Sequence, residues 1–106
     1  MSRKLKPIHP GEQLREEFMI PLGLSSNALA RALGVTPARI NEIARGRRGI
    51  SADTALRLAR YFGTSHQFWI NLQANYEVKC AEDAAGSVIA KIKPLADADR
   101  ELGHAA

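Results

Sequence analysis

Between positions 31 and 48 the chain sets Arg31, Arg39, Arg45, Arg47 and Arg48 against one acid, Glu42, a net charge of +4 over 18 residues. Guanidinium groups at this density suit the neutralisation of a polyanion, because each paired phosphate releases a condensed counterion. The same fork also matches the two acceptors on a guanine edge. A run of charge can equally be a solvated face, so the elements that carry it have to distinguish the two. Elsewhere the residues offer little chemistry. His9, His66 and His104 lie in a leader, near a helix start and in the tail, with no pair at ligand spacing, so no metal site is expected. His9 before Pro10 reads as a turn-shaping residue. Cys80 is the only cysteine and has no base or cation poised beside it. It cannot form an internal disulfide, which agrees with a reducing compartment. No glycine loop able to cradle a nucleotide phosphate occurs. No catalytic residue and no cofactor are expected, and the chain is not read as an enzyme.

The positive charge belongs to the front half. Residues 1–50 hold nine Lys or Arg against four Asp or Glu, whereas residues 51–106 hold six against seven. With 106 residues there is room for one domain of ordinary size, which excludes a multidomain enzyme. The content of 45% hydrophobic and 25% charged residues fits a packed core, and with only 6% aromatics that core must be mainly aliphatic. No apolar run reaches the roughly 18 residues of a membrane span, and the basic start MSRKLKPIHP lacks the apolar segment of a secretory signal. A cytoplasmic protein without membrane contact is expected.

Punctuation along the chain is helical. Pro10 suits a first helical position, Leu14 and Phe18 share a face, and Pro21 stops a helix over about 10–19. Ser25 or Ser26 caps the next, which carries Leu29, Ala30 and Leu33 and ends at Gly34. Thr36 caps a third, with Pro37 in its first turn, Ile40, Ile43 and Ala44 turned inward and Gly46 just past its end. Ser51 opens a fourth, in which Ala52, Ala55, Leu56, Ala59 and Phe62 recur until Gly63. Thr64 with Gln67 forms a capping box for a fifth, which buries Phe68, Trp69, Leu72 and Tyr76 and runs to about Ala85. With no convincing strand and no repeat, the fold class is all-α, five short helices over 10–85. A basic leader (1–9) precedes them and a C-terminal extension (86–106) follows. Val88, Ile89, Ile92 and Leu95 are too apolar for an inert tail and point to docking on the bundle, on a sister subunit or on another partner. The last ten residues read as disordered.

The spacing between Ser26 and Ile43 is the informative one. Two short helices joined by a turn of about three residues cross steeply only if a small residue lets their axes approach and the turn holds a permissive residue. Ala30 and Gly34 occupy those places. This is the pattern of a DNA-binding helix-turn-helix, and it sends the helix from Thr36 to Arg45 into a major groove. Ala38, Arg39, Asn41, Glu42 and Arg45 then face outward. Arg suits guanine, Asn suits adenine, Glu accepts from cytosine and Ala touches a thymine methyl. For Glu42 an ion pair with a nearby arginine is an equal reading. Arg45, Arg47 and Arg48, with the amides around Gly46 and Gly49, are placed to hold phosphate.

The run LSSNALARALGVTPARINEIARGRRGIS resembles the Xre-type helix-turn-helix of phage and plasmid repressors. With PIHPGEQLREEF before it and ADTALRLARYFGTSHQFWINLQANYE after it, residues 7–79 resemble the HigA-type antitoxins related to the virulence-associated protein I group. The resemblance implies a lambda-repressor-like fold and a homodimeric antitoxin. Such an antitoxin binds double-stranded operator DNA, represses its own operon and neutralises a HigB-type toxin that cleaves messenger RNA. Carried over, the groove-reading segment falls on Thr36, Ala38, Arg39, Asn41 and Glu42, and the phosphate-holding turn on Arg45, Arg47 and Arg48. The chain departs from the family at Ser26, where many Xre domains carry a glutamine that reaches DNA; Ser26 and Asn27 take its place beside phosphate. A protein-only neutraliser without operator binding and a stand-alone repressor are the alternatives.

Operator recognition by a single module is excluded on arithmetic. A helix of about ten residues is roughly 15 Å long and reads about four or five base pairs at 3.4 Å each. A site that short recurs about once per 1,000 base pairs among roughly 10⁶ or more competing sites. Two modules on a two-fold axis are needed.

Overall fold

The computed structural model describes residues 6–97, and within them all five expected helical segments form. Residues 1–5 of the basic leader lie outside that range, as do His104 and nearly all of the segment read as disordered. α1 (Pro10–Leu14) opens with His9 as its N-cap, the side chain accepting the Gly11 amide. It passes directly into a π-helical turn, Arg15–Met19, marked by the Ile20 amide bonding the Arg15 carbonyl at 2.9 Å. The wider turn changes which residues face inward. Leu14 and Met19, five apart, are both buried, and Phe18 is half-buried against the rings of Phe62 and Trp69.

α2 (Ser26–Leu33) and α3 (Pro37–Ala44) form the helix-turn-helix. Ser25, not Ser26, caps α2 through the Ala28 amide, and Thr36 caps α3 through the Arg39 amide. Between them Gly34 adopts φ +72, and the Val35 amide closes back onto the Ala30 carbonyl at 3.0 Å. This left-handed closure is open to glycine at no steric cost, and it turns the chain within a few residues. Buried Ala30 lets α3 come close, while Leu29, Leu33, Ile40 and Ile43 fill the space between the pair and the rest of the core.

α4 (Ala52–Phe62) is capped by Ser51 and closed by Gly63 at φ +73. Its buried stripe differs from the expected one. Leu58 is fully buried while Leu56 is 56% exposed, and Ala52 is exposed as well. Leu56 and Leu58 project about 200° apart on a helix, so only one can face the core. α5 (His66–Ile89) is capped by Ser65 rather than by Thr64. Thr64 serves another need, its hydroxyl accepting the Trp69 indole N–H at 2.7 Å, so the one buried indole donor is satisfied.

Trp69 is fully enclosed, but Phe68 stands 37% exposed, against expectation, and Leu72 and Tyr76 are half-buried. The helix continues past the expected end at Ala85. From Glu77 onward none of its residues is buried. Val88, Ile89, Ile92 and Leu95 are exposed, so the extension is not docked on its own bundle. No helix among the described residues is long and apolar enough to cross a membrane.

Candidate nucleic-acid interface

α3 is held by its inner face and leaves the other free. Ile40, Ile43 and Ala44 are buried, whereas Thr36, Ala38, Asn41, Glu42 and Arg45 are exposed. Beyond Ala44 the chain reverses at Gly46, φ +75, with the Arg47 amide bonding the Glu42 carbonyl at 2.8 Å. Arg45, Arg47 and Arg48 are exposed on this turn, alongside the open face of α3. Ser26 and Asn27 occupy the first two positions of α2, where helix amides lack intrahelical partners.

Four expected contact residues are engaged within the chain, Thr36 through its cap of α3 and Glu42, Arg48 and Arg39 through side-chain pairs. Glu42 pairs with Arg48 at 3.4 Å, both side chains about half exposed. An exposed pair of this kind is worth little and breaks readily when a phosphate competes for the guanidinium. Arg39 does not project freely from α3. Its Nη1 donates to Asp53 Oδ2 at 3.0 Å and to Thr54 Oγ1 at 3.4 Å, both on α4. Asp53 also accepts from Arg57 Nε at 2.9 Å, and the bonds from Arg57 and Arg39 hold its carboxyl below the usual carboxylate range. Arg57 in turn donates to the Leu33 carbonyl at 2.8 Å, tying α4 to the helix-turn-helix turn.

Four residues outside the motif brace α3 and its following turn from behind. Gly11 brings α1 so close to α3 that a Cβ there would overlap the Ile43 carbonyl oxygen. Arg15 Nη1 donates to the Ala44 carbonyl at 2.6 Å, satisfying an acceptor left over at the end of α3. His9 lies beneath Gly46, where a Cβ would meet its ring at 3.6 Å, and packs edge-on against Tyr76 with centroids 4.8 Å apart. Gln73 Oε1 accepts the Ile50 amide at 2.7 Å. The Gln73 side chain is fixed in turn by Glu77 at 2.8 Å and crowds Gly49, where a Cβ would displace the Gln73 amide.

Comparison with known proteins is consistent with this geometry. Residues 13–69 match the helix-turn-helix family. Virulence-associated protein I of Dichelobacter nodosus is 56% identical over 87 residues, covering 82% of this chain and 81% of that protein. The Pseudomonas aeruginosa antitoxin HigA, solved with the higBA promoter, superposes with a TM-score of 0.80 at 54% identity over 84% of this chain and 98% of that one. This chain belongs to the HigA-type antitoxins of the Xre helix-turn-helix family. A further P. aeruginosa structure, of PA4674 on 18 base pairs of its operator DNA, gives a TM-score of 0.83 at 53% identity, over 87% of this chain and 100% of that one. Named relatives are antitoxins and helix-turn-helix regulators, and the family is not enzymatic.

The bracing gives HPGE and FWINLQ of this chain a connected structural role. His9 and Gly11 come from the first segment and Gln73 from the second, and they meet α3, the arginine turn and Ile50 just beyond it, while Trp69 anchors the second segment in the core against Phe18 and Phe62. Arg15, Asp53, Arg57 and Gln73 went unrecognised by periodicity, since each acts on backbone or side chains 14 or more residues away.

His9 gives this support a pH dependence. Its Nδ1 accepts the Gly11 amide at 2.9 Å, a bond only the neutral ring can make, and burial pushes its pKa below the ordinary 6.5. The unfolded chain therefore binds the proton more readily than the folded one. Stability should be unaffected by this group above pH 6.5 and fall as pH drops through that value toward the lowered one. Urea midpoints across this range should decline in the wild type and decline less in His9→Asn, whose amide oxygen caps without titrating. Equal declines would remove His9 from the pH response.

Proposed function

We propose that this chain is the antitoxin of a two-gene module. As a homodimer it binds operator DNA, represses its own operon and neutralises a HigB-type toxin that cleaves messenger RNA. The reading is carried by the open face of α3 standing beside three exposed arginines on the following turn, the two together braced by His9, Gly11, Arg15 and Gln73. Thr36, Ala38, Arg39, Asn41 and Glu42 meet base edges, while Arg45, Arg47, Arg48, Ser26 and Asn27 hold phosphate and set register. Support comes from the HigA of P. aeruginosa with its promoter and from the operator-bound relative. The dimer follows from site frequency, since one helix reads too few base pairs to specify an operator. With the bundle excluded as their docking place, Val88, Ile89, Ile92 and Leu95 are covered by a partner chain.

The toxin half is tested by co-expressing the chain with the small basic reading frame beside its own. The pair should co-purify, and growth arrest by the toxin should be relieved. Arrest that persists with abundant folded antitoxin would leave a stand-alone repressor.

A further inference from the structure

Asp53 does more than the fold asks of an acid in the first turn of a helix, where the helix dipole and the pair with Arg57 already favour one. It is exposed in the first turn of α4, yet its Oδ2 receives guanidinium donors from two helices, Arg39 Nη1 at 3.0 Å and Arg57 Nε at 2.9 Å. The cleft they line between α3 and α4 also contains Arg48, Ser51 and Thr54, so it is cationic apart from this one carboxylate. A carboxylate facing a phosphate chain would ordinarily weaken binding, a cost to be set against what it positions. Among the described residues both hydrogen bonds of the Arg39 guanidinium use Nη1. The Nε–Nη2 edge is left open, and that edge carries two parallel N–H donors, the geometry a guanine O6 and N7 accept.

We propose that Asp53 is a positioning residue for base choice. It fixes the plane of the Arg39 guanidinium from α4, so that the free edge meets guanine without the rotamer freedom of a loose arginine. The inference rests on α3 being the groove-reading helix. Arg57 completes the device by holding Asp53 and bonding the Leu33 carbonyl, which references the carboxylate to the turn between α2 and α3. A long side chain that is already ordered loses less conformational entropy on binding, and an ordered fork discriminates more sharply among base edges.

The test is selection of preferred sequences from a pool of randomised duplexes, followed by titration of the selected duplex and of single-base substitutions in it. The proteins are the full wild-type chain, Arg39→Ala, Asp53→Ala, Asp53→Asn and the Arg39→Ala/Asp53→Ala double variant. Arg39→Ala should cut discrimination at one base pair per half-site by about tenfold. Asp53→Ala should lose most of the same discrimination at the same base pair while binding random duplex as tightly or more tightly, because a negative charge has gone. In the Arg39→Ala background it should change discrimination no further. Asp53→Asn keeps an acceptor at the same place and should retain part of the effect, which guards against reading a helix-start defect as specificity.

Wild-type discrimination in Asp53→Ala, or losses that add in the double variant or fall equally on all sequences, would overturn the role of Asp53. An Arg39→Ala variant that keeps the full base preference would overturn it by removing Arg39 from base reading. A wild-type chain that enriches no sequence would refute operator reading as a whole.

Discussion

Gly11→Ala is expected to destabilise the protein by about 3 kcal/mol or more, a large effect for one added methyl. A Cβ at this position overlaps the Ile43 carbonyl oxygen, which is backbone of α3 and cannot rotate aside as a side-chain end would. α1 must therefore retreat from α3, and the His9 cap and the Arg15 bond to Ala44 retreat with it. Urea denaturation measures the loss. Gly86→Ala is the control, because a Cβ there meets nothing within 4 Å and the residue is inside α5, so alanine should be neutral or stabilise by about 0.5 to 1 kcal/mol. If Gly11→Ala unfolds at the wild-type midpoint, α1 and α3 do not approach so closely and the bracing described above is wrong.

Arg47→Ala/Arg48→Ala should produce the largest change in DNA binding. With three turn arginines per chain, a dimer neutralises about six phosphates, and log affinity should fall with log salt at a slope near −5. Removing two per chain leaves about two contacts and a slope near −2. The loss should be nearly uniform across sequences, since phosphate contacts carry no base information. Both side chains are exposed and neither contributes to the core, so the melting temperature should be close to that of the wild type. An unchanged slope would remove the turn from the interface.

Much of the fold was legible because its boundaries are chemical. Thr36 and Ser51 cap where a hydroxyl before an apolar period should cap, and Gly34, Gly46 and Gly63 take the left-handed conformation that closes each helix. Adjacent hydroxyls were harder to separate. Of the two serines offered for α2, Ser25 is the cap, and Ser65 caps α5 in place of Thr64, whose hydroxyl serves as acceptor for a buried indole. The π-helical turn left no local signal, and it substitutes Met19 for Phe18 as the deeply buried partner of Leu14. In α4 the sequence offers two leucines for one inward place, and Leu58 takes it in line with the buried Thr54, Ala55 and Ala59.

The site divided along the same line. Which residues face out from α3 follows from a period of 3.6, and Ala38, Asn41, Glu42 and Arg45 lie as that period requires. What holds them does not follow from any period. Arg39 is drawn to α4, Arg15 reaches the end of α3 from the first segment, and Gln73 secures Ile50 from the last helix. These are tertiary hydrogen bonds between residues far apart in the chain, and no local pattern marks them.

The most direct measurement is a titration of the wild-type chain on the promoter DNA of its own operon, beside a composition-matched scrambled duplex, at near-physiological salt. Binding to the promoter DNA should be tighter by about 10³-fold or more, with two chains per site. Equal affinity for the two duplexes would contradict operator recognition by α3.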